Sequence, residues 1–455
     1  VRPPVLPLLA KADCPNCWGN FDPADVLWIS VHQDLRDDPR LGSEEQVRFL
    51  PTIFTPDGEA LDLRGMVCRQ MACPHCHLPL PRPTIELDPL FVSILGTPSC
   101  GKSYYLAATS WTLRQLLPQY FAISFGDADP TVNLTLTETE RQLFLHAKNT
   151  QLVPLADLVR KTALAGELYH TVYEGEHAIR YLKPFAFTVR PRENHPNYSK
   201  SPELARMLVL FDNAGEHFMP GREEANAPVT MHLAKSQLLL YLFDPTQDPR
   251  FRKLYEKNNP VAAAMNLRSE RQDVVLREAA ARVRRFTGMT RTSQHGRPLV
   301  VIVTKCDIWG DLLNDDTTQE PWLLKDGLAG LDRDRIMKRS QSLKTLLEMT
   351  CPEVIAAAEE FSNQVVYMPV SALGRSPTLI KVKDKEGKPV DAPAIRPVDI
   401  APRGVIVPLL YALNLALPGL VMNVKRPSQP PQAGAGNHRP APAGPAQRVS
   451  GGKKK

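Results

Sequence analysis

Long hydrophobic runs are missing from this chain. No eighteen consecutive apolar residues occur among its 455, so no helix is expected to span a membrane. A secretory leader pattern is missing too: Val5–Ala10 is short and interrupted by proline, and a cytoplasmic location is expected. Cysteine is scarce, with eight residues. They are not spread as a disulfide framework, and most pair as C-x-x-C, a pattern that points to metal or redox use. Acid is absent from the last stretch. From Val424 onward there are seven basic residues and no Asp or Glu, against +6 for the whole chain, which leaves the remainder near neutral at −1. The basic balance is therefore no sign of a broad nucleic-acid surface. Nucleic-acid contact stays possible but unsupported, and a solvated tail is the simpler reading of the basic end.

A hydrophobic content of 43% is ample for a large core, and the length predicts two or three domains. The first unit spans residues 1–86. Cys14-Pro-Asn-Cys17 and Cys73-Pro-His-Cys76 are two C-P-x-C knuckles. Two thiolates three residues apart in a tight turn grip one Zn²⁺ from one side, and a second pair completes the tetrahedron. Fifty-five residues separate the pairs, with strand-like runs at Val26–Val31 and Phe49–Phe54. Cys68, His75 and His77 are reserve ligands. A thioredoxin-like redox pair or free buried cysteines are the alternatives. With all positions filled by protein, such a site would stabilise a fold or present a partner surface rather than catalyse.

After the stiff connector Pro79–Pro83, the apolar run Phe91–Leu95 reads as a buried strand. Gly96-Thr-Pro-Ser-Cys-Gly-Lys-Ser103 then fits G-x-x-x-x-G-K-[ST]. Gly96 and Gly101 let the backbone bend where a side chain would clash, and the freed N–H groups together with a helix N-terminus form an anion nest. Lys102 is suited to terminal phosphates and the Ser103 hydroxyl to Mg²⁺. The nucleotide contacts expected here are Gly96, Thr97, Pro98, Ser99, Cys100, Gly101, Lys102, Ser103 and Tyr104. The helix of this unit is predicted over Ser103–Gln119. A mainly helical insertion is predicted at about 130–182, from helical spacing in Leu134–Lys148 and Val153–Leu164.

Further strands are predicted at Pro184–Val189, Met207–Phe211, Gln237–Phe243, Pro298–Val303 and Gln364–Val370, and a last helix at Ile406–Leu417. Several strands run into polar motifs. Met207–Phe211 ends in Asp212-Asn-Ala-Gly215, Gln237–Phe243 in Asp244-Pro245, Pro298–Val303 in Thr304-Lys-Cys-Asp307, and Gln364–Val370 in Ser371-Ala372-Leu373. A strand-end aspartate beside a phosphate loop holds the Mg²⁺ shell, so Ser103 and Asp212 are the expected Mg²⁺ pair. Gly215 would approach the γ-phosphate. The Asp307 carboxylate can accept from guanine N1–H and N2–H₂, a donor pair that adenine lacks. The Lys305 stem would pack on the base. Strand–helix alternation with motifs at strand carboxyl ends predicts an α/β fold: a mainly parallel sheet with helices on both faces. From residue 423 the Pro/Gly/Ala/Lys composition predicts a disordered tail.

Gly96–Ser103, Asp212–Gly215, Thr304–Asp307 and Ser371–Leu373, in this order, resemble the P-loop GTPases of the translation-factor and Ras-like class, over about residues 88–420 of a domain expected at 87–422. The resemblance implies a GTP/GDP site in which Ala372 N–H meets guanine O6. It also implies Mg²⁺-dependent hydrolysis and a switch coupled to a protein partner. Glu216 stands where the family has glutamine, so Glu216 or His217 would orient water, with Lys102 as the phosphate-side charge. The switch threonine is unassigned between Thr131 and Thr171, and an arginine in cis is expected from Arg160 or Arg180. The zinc-knuckle extension, the insertion and Phe243-Asp-Pro245 look similar to bacterial GTPases of paired-GTPase conflict systems. Two rivals remain: a nucleotide-binding scaffold with weak hydrolysis acting through its zinc unit, and an ATPase with a chance Thr-Lys-Cys-Asp.

Overall fold

Runs of leucine and β-branched residues that are apolar on both sides form one large sheet, because only a strand covered on both faces can bury such a run. The structure, a computed structural model, describes residues 7–159, 168–212, 231–259, 271–383 and 387–425. The main elements in chain order are β1 (Pro89–Gly96), α1 (Lys102–Tyr120), β2 (Ile123–Asp127), α2 (Leu134–Phe144), β3 (Phe185–Pro191), β4 (Arg206–Asp212) and β5 (Leu238–Phe243). They continue with α3 (Gln272–Thr287), β6 (Leu299–Val303), α4 (Arg333–Thr350), α5 (Pro352–Phe361), β7 (Val365–Pro369) and α6 (Val407–Ala416). The seven strands lie in the order β2-β3-β4-β1-β5-β6-β7. From β4 to β7 every pairing is parallel; β3 alone runs against the rest, paired antiparallel to both neighbours. The fold is mixed α/β with a mainly parallel sheet. Among the described residues no helix is long and apolar enough to cross a membrane.

Alternation along the strands divides the core. Val92, Ile94, Leu240, Leu242, Val300 and Ile302 face α1 and α6. Leu239, Tyr241, Phe243, Val301 and Val303 face α3, α4 and α5. Where β1 and β4 meet, this second face is covered differently. Phe91, Met207, Val209 and Phe211 pack on Trp18 of the first knuckle and on Tyr169 and Leu182. Helices cover both faces as expected, but at this corner the N-terminal unit and a hairpin replace them.

That hairpin corrects the reading of 130–182 as mainly helical. Helix is present at Leu134–Phe144 and briefly at Leu155–Leu158, whereas Tyr169–Glu174 and His177–Leu182 form an antiparallel pair. Residues 160–167 lie outside the described residues. The turn Glu174-Gly175-Glu176, with Gly175 at φ 62°, reverses the chain between two strands whose β-branched and aromatic residues, Thr171, Val172, Tyr173, Ile179 and Tyr181, suit a pleated surface. Val172 enters the core of the N-terminal unit with Tyr181 packed against it, Tyr173 N–H donates to Arg40 O at 2.7 Å, and Arg40 pairs with Glu174 at 3.0 Å. The N-terminal unit itself is built from very short antiparallel strands, with Leu27–Ile29 between Met71–Ala72 and Arg48–Phe49. The expected tail lies outside the described residues from 426 on.

Candidate functional site

The turn after β1 is shaped by what surrounds it. A Cβ on Gly96 would lie 2.7 Å from Cys100 Sγ and 2.8 Å from the Leu242 carbonyl oxygen, so only glycine fits. Gly101, at φ 99°, sits immediately before α1 in the left-handed region. Thr97 and Cys100 are wholly buried and anchor the loop from within, Pro98 is half-buried, and Ser99 is exposed at the tip. The first turn of α1 turns the N–H groups of Lys102, Ser103 and Tyr104 toward the loop concavity without intrahelical acceptors. Lys102 Nζ donates to Gly96 O at 2.9 Å and Thr97 O at 3.3 Å. Tyr104 Oη donates to Leu155 O at 2.6 Å, tying α1 to the segment that follows α2.

Asp212 ends β4, in register with Ile94 of β1, and so lies beside the loop. Burial pushes its carboxyl up to about 6, with Lys102 pulling the other way. Its Oδ1 is shut from solvent and has no hydrogen-bond partner among the described residues. A buried acceptor oxygen beside a phosphate-loop-like turn, without a partner among the described residues, fits a hard cation, whose positive charge would relieve the desolvation. Ser103 stands half-buried at the start of α1, and these two residues are the ones that could hold Mg²⁺.

The third and fourth motifs meet. Thr304 N–H donates to Phe243 O at 2.8 Å, Cys306 N–H to Val370 O at 3.1 Å, and Trp309 Nε1–H to Thr304 O at 2.8 Å. Lys305 takes a left-handed backbone, φ 59°. Ser371 Oγ donates to Asp307 Oδ1 at 2.5 Å and Ser376 Oγ to Oδ2 at 3.2 Å. Gly374 N–H donates to Ser371 Oγ at 2.7 Å, and Ser371 exchanges backbone bonds with Arg403. Ala372 and Leu373 are half-buried against the α1/α6 side of the core. Burial pushes the Cys100 thiol up. The loop's Thr97 is linked through Gln272 to Asp244, the ion-pair partner of Lys305, so the loop and the third motif lie close together. The motifs thus follow the carboxyl ends of β4, β1, β6 and β7, along one edge of the sheet where α/β folds place ligands.

Two residues here have no site role assigned from the sequence, although Asp244 is noted there as ending a strand. Asp244, at the end of β5 and fully buried, forms an ion pair with Lys305. Gln272, first in α3, accepts from Thr97 Oγ1 at 3.2 Å and Asp244 N–H at 3.0 Å and donates to Asp244 O at 2.7 Å. Asp244 carried the same signal as Asp212, an acid ending a buried run; nothing in the sequence pointed to Gln272.

Other expected residues lie elsewhere. Thr131 is exposed, its N–H and Oγ1 both bonded to Asp129 Oδ1. Thr171 and Arg180 face each other across the hairpin that docks on the N-terminal unit, and both are exposed. Arg160, Gly215, Glu216 and His217 lie outside the described residues.

A second site lies in the N-terminal unit. The Sγ atoms of Cys14, Cys17, Cys73 and Cys76 all lie within 4.8 Å of one another. The two knuckles repeat one geometry. Cys14 N–H bonds Gly19 O, and Cys73 N–H bonds Leu78 O, both at 3.0 Å. Asn16 N–H reaches Cys14 Sγ and His75 N–H reaches Cys73 Sγ, both at 3.3 Å. Trp18 and His77 take left-handed backbones, φ 59° and 61°. Cys14–Cys76 and Cys17–Cys73 each stand 3.8 Å apart, which matches the edge, about 3.8 Å, of a tetrahedron with Zn–S bonds of about 2.3 Å. The N–H···S bonds favour thiolates, so donor set and geometry fit zinc. The reserve ligands are engaged elsewhere: His77 Nδ1 with Asp38 at 2.9 Å, His75 Nε2 with Asn20 O at 3.1 Å, and Cys68 Sγ with Met66 O at 3.6 Å.

No family model matches the chain, and no curated protein matches it. Among solved structures, a similar chain is that of "Crystal Structure Analysis of sup35 complexed with GDP". It is 14% identical with a TM-score of 0.22; the match covers 63% of this chain and 38% of that one. A likeness this slight carries no argument, so the function is argued from the site's own geometry.

Proposed function

We propose that the protein is a Mg²⁺-dependent GTP-binding and GTP-hydrolysing switch whose nucleotide state is read by a protein partner. The observation that carries this reading is the common sheet edge. The buried Asp212 oxygen, which has no partner among the described residues, lies beside the Lys102 loop, while the hydrogen-bonded Asp307–Ser371 pair lies two and three strands further on. The loop amides and Lys102 would bind the phosphates and stabilise charge on the transferring phosphoryl group. Ser103 and Asp212 would hold Mg²⁺, which neutralises phosphate charge when bound. Asp307 would take the guanine N–H donors, Lys305 would pack on the base, and Ala372 N–H would meet O6. Glu216 or His217 would orient the water. The four cysteines would bind a structural Zn²⁺, leaving no open coordination position for catalysis.

The test is equilibrium binding of GTP, GDP and ATP with Mg²⁺, before and after Asp307→Asn. The proposal expects guanine preference in the unaltered protein, reduced by roughly 10- to 100-fold in the variant, the equivalent of charge-assisted hydrogen bonds worth ~1.5–3 kcal/mol. Equal affinity for ATP, unchanged by the substitution, would overturn it in favour of an ATPase. A second reading, a scaffold that binds nucleotide but hydrolyses weakly, is favoured by the position of Thr131 and Thr171, both committed elsewhere. Single-turnover hydrolysis near zero with intact GTP binding would select it.

A further inference from the structure

The reading of Lys305 as the residue that packs on the base leaves open what holds so long a side chain still. A lysine stem gives up substantial rotamer freedom when it is fixed on a ligand. The left-handed backbone at Lys305 aims the chain, but its ammonium needs a fixed partner. That partner is Asp244, which belongs to none of the four motifs. Its carboxylate is fully buried and itself immobilised. Oδ1 accepts from Thr246 N–H at 3.0 Å and Thr246 Oγ1 at 2.6 Å; Oδ2 accepts from Gln247 Nε2 at 3.2 Å and pairs with Lys305 Nζ. The backbone of Asp244 is clamped on both sides by the single Gln272 amide, whose oxygen also takes the Thr97 hydroxyl. Tyr241 Oη fixes the backbone of Gln272 in turn, at 2.6 Å. An unbroken polar chain, buried except at its lysine end, therefore runs from the second residue of the phosphate loop to the third motif: Thr97, Gln272, Asp244, Lys305.

We propose that Asp244 is the positioning residue for Lys305, and that Gln272 locks this ion pair to Thr97, so that the phosphate end and the base end of the nucleotide site are set as one unit. This rests on the guanine-nucleotide reading and deepens it. Asp244 touches no nucleotide atom; it acts by presenting the Lys305 stem already extended, which removes an ordering cost from binding. Because the stem packs on the ring face and reads no edge group, its contribution is the same for GDP and for IDP, which lacks the exocyclic amino group.

The experiment is a double-mutant cycle on the full chain, with Kd for GDP and IDP measured in Mg²⁺ for the unaltered protein, Asp244→Asn, Lys305→Met and the double variant. The proposal expects Asp244→Asn to weaken GDP binding roughly tenfold or more and to leave the GDP-to-IDP ratio unchanged. Placed on Lys305→Met, which keeps a stem but has no ammonium to position, Asp244→Asn should add little. A full further loss in that background would overturn the proposal, since Asp244 would then be only a brace for the 244–247 turn. If Asp244→Asn does not fold, Thr97→Val combined with Lys305→Met reads the same chain from its other end. A less-than-additive loss supports the coupling, and strict additivity overturns it. The two levels fail separately. If the unaltered protein binds no guanine nucleotide, the functional reading falls and takes the inference with it. If it binds GDP and the cycle is additive, only the inference falls.

Discussion

The cysteine unit and the carboxyl edge of the sheet both gather short motifs from distant parts of the chain, but by opposite means. In the N-terminal unit the strands are two to five residues long, and the core includes three of the four clustered cysteines, Cys14, Cys73 and Cys76. There the functional atoms are also the structural ones. At the sheet edge the reverse holds. Two extensive apolar clusters carry the architecture, and Lys102, Asp212, Asp307 and Ser371 sit at strand ends or in the segments just beyond them, where the chain leaves the core. One region should lose its fold when its site is broken; the other should lose its site and keep its fold. Trp18 joins them. It follows Cys17 directly, its ring centroid lies 6.2 Å from that of Phe211, and Phe211 precedes Asp212.

The strongest test of this contrast is Cys73→Ala. It should abolish metal binding and withdraw on the order of 10 kcal/mol of linked folding energy from residues 7–86. Metal content by mass spectrometry and proteolysis confined to this unit are the readouts, with the helical signal of the sheet domain retained. Simultaneous loss of all structure would break the comparison. Trp18→Ala comes next, at ~3–5 kcal/mol for removing a buried indole. It should lower the thermal midpoint and weaken both metal retention and nucleotide binding with all four thiols intact.

Asp212→Asn should act in opposite directions on stability and function. The folded carboxyl sits at about 6, above the ordinary value of about 3.9. The folded state therefore holds its proton more tightly than the unfolded one, and stability falls as pH rises from about 4 to 6. Asparagine removes that loss, so the nucleotide-free variant should be more stable at pH 7 by on the order of 2–3 kcal/mol. Its Mg²⁺-dependent nucleotide affinity should collapse. Urea titrations at pH 4 and pH 7 measure the first effect, and a flat difference across that window would refute the account. Lys102→Ala should change stability least, within about 0.5 kcal/mol, because its two carbonyl bonds lie at a half-buried surface. Nucleotide affinity should still fall roughly 10- to 100-fold.

Much of the sheet was legible in the sequence because parallel strands covered on both faces must be apolar throughout. Gln237–Phe243, expected as a strand, lies at Leu238–Phe243, and Pro298–Val303 lies at Leu299–Val303. The knuckle cysteines were legible for a related reason: two ligands in one tight turn are a local property. The Tyr169–Leu182 hairpin was misread because the helical spacing of Leu134–Lys148 and Val153–Leu164 was extended over it, and what settles it is a docking partner, Arg40 and the cysteine core. Strand β3, expected at Pro184–Val189, lies at Phe185–Pro191, but nothing local signalled its reversed direction. The edge strand β2 left no comparable mark, since an edge strand lacks the continuous apolar run.

The sequence by itself determined the strand-end motifs, the paired knuckles and a mainly parallel α/β sheet, because each depends on residues close together in the chain. Only the tertiary structure decided that His77 serves Asp38 rather than the cysteine cluster, that Trp18 lies against the strand leading to Asp212, and that Gln272 and Asp244 bind the loop to Lys305. These are contacts across tens to hundreds of residues. Their partners are chosen by how covered sheet faces and helix ends come to rest on one another, and no local spacing encodes that.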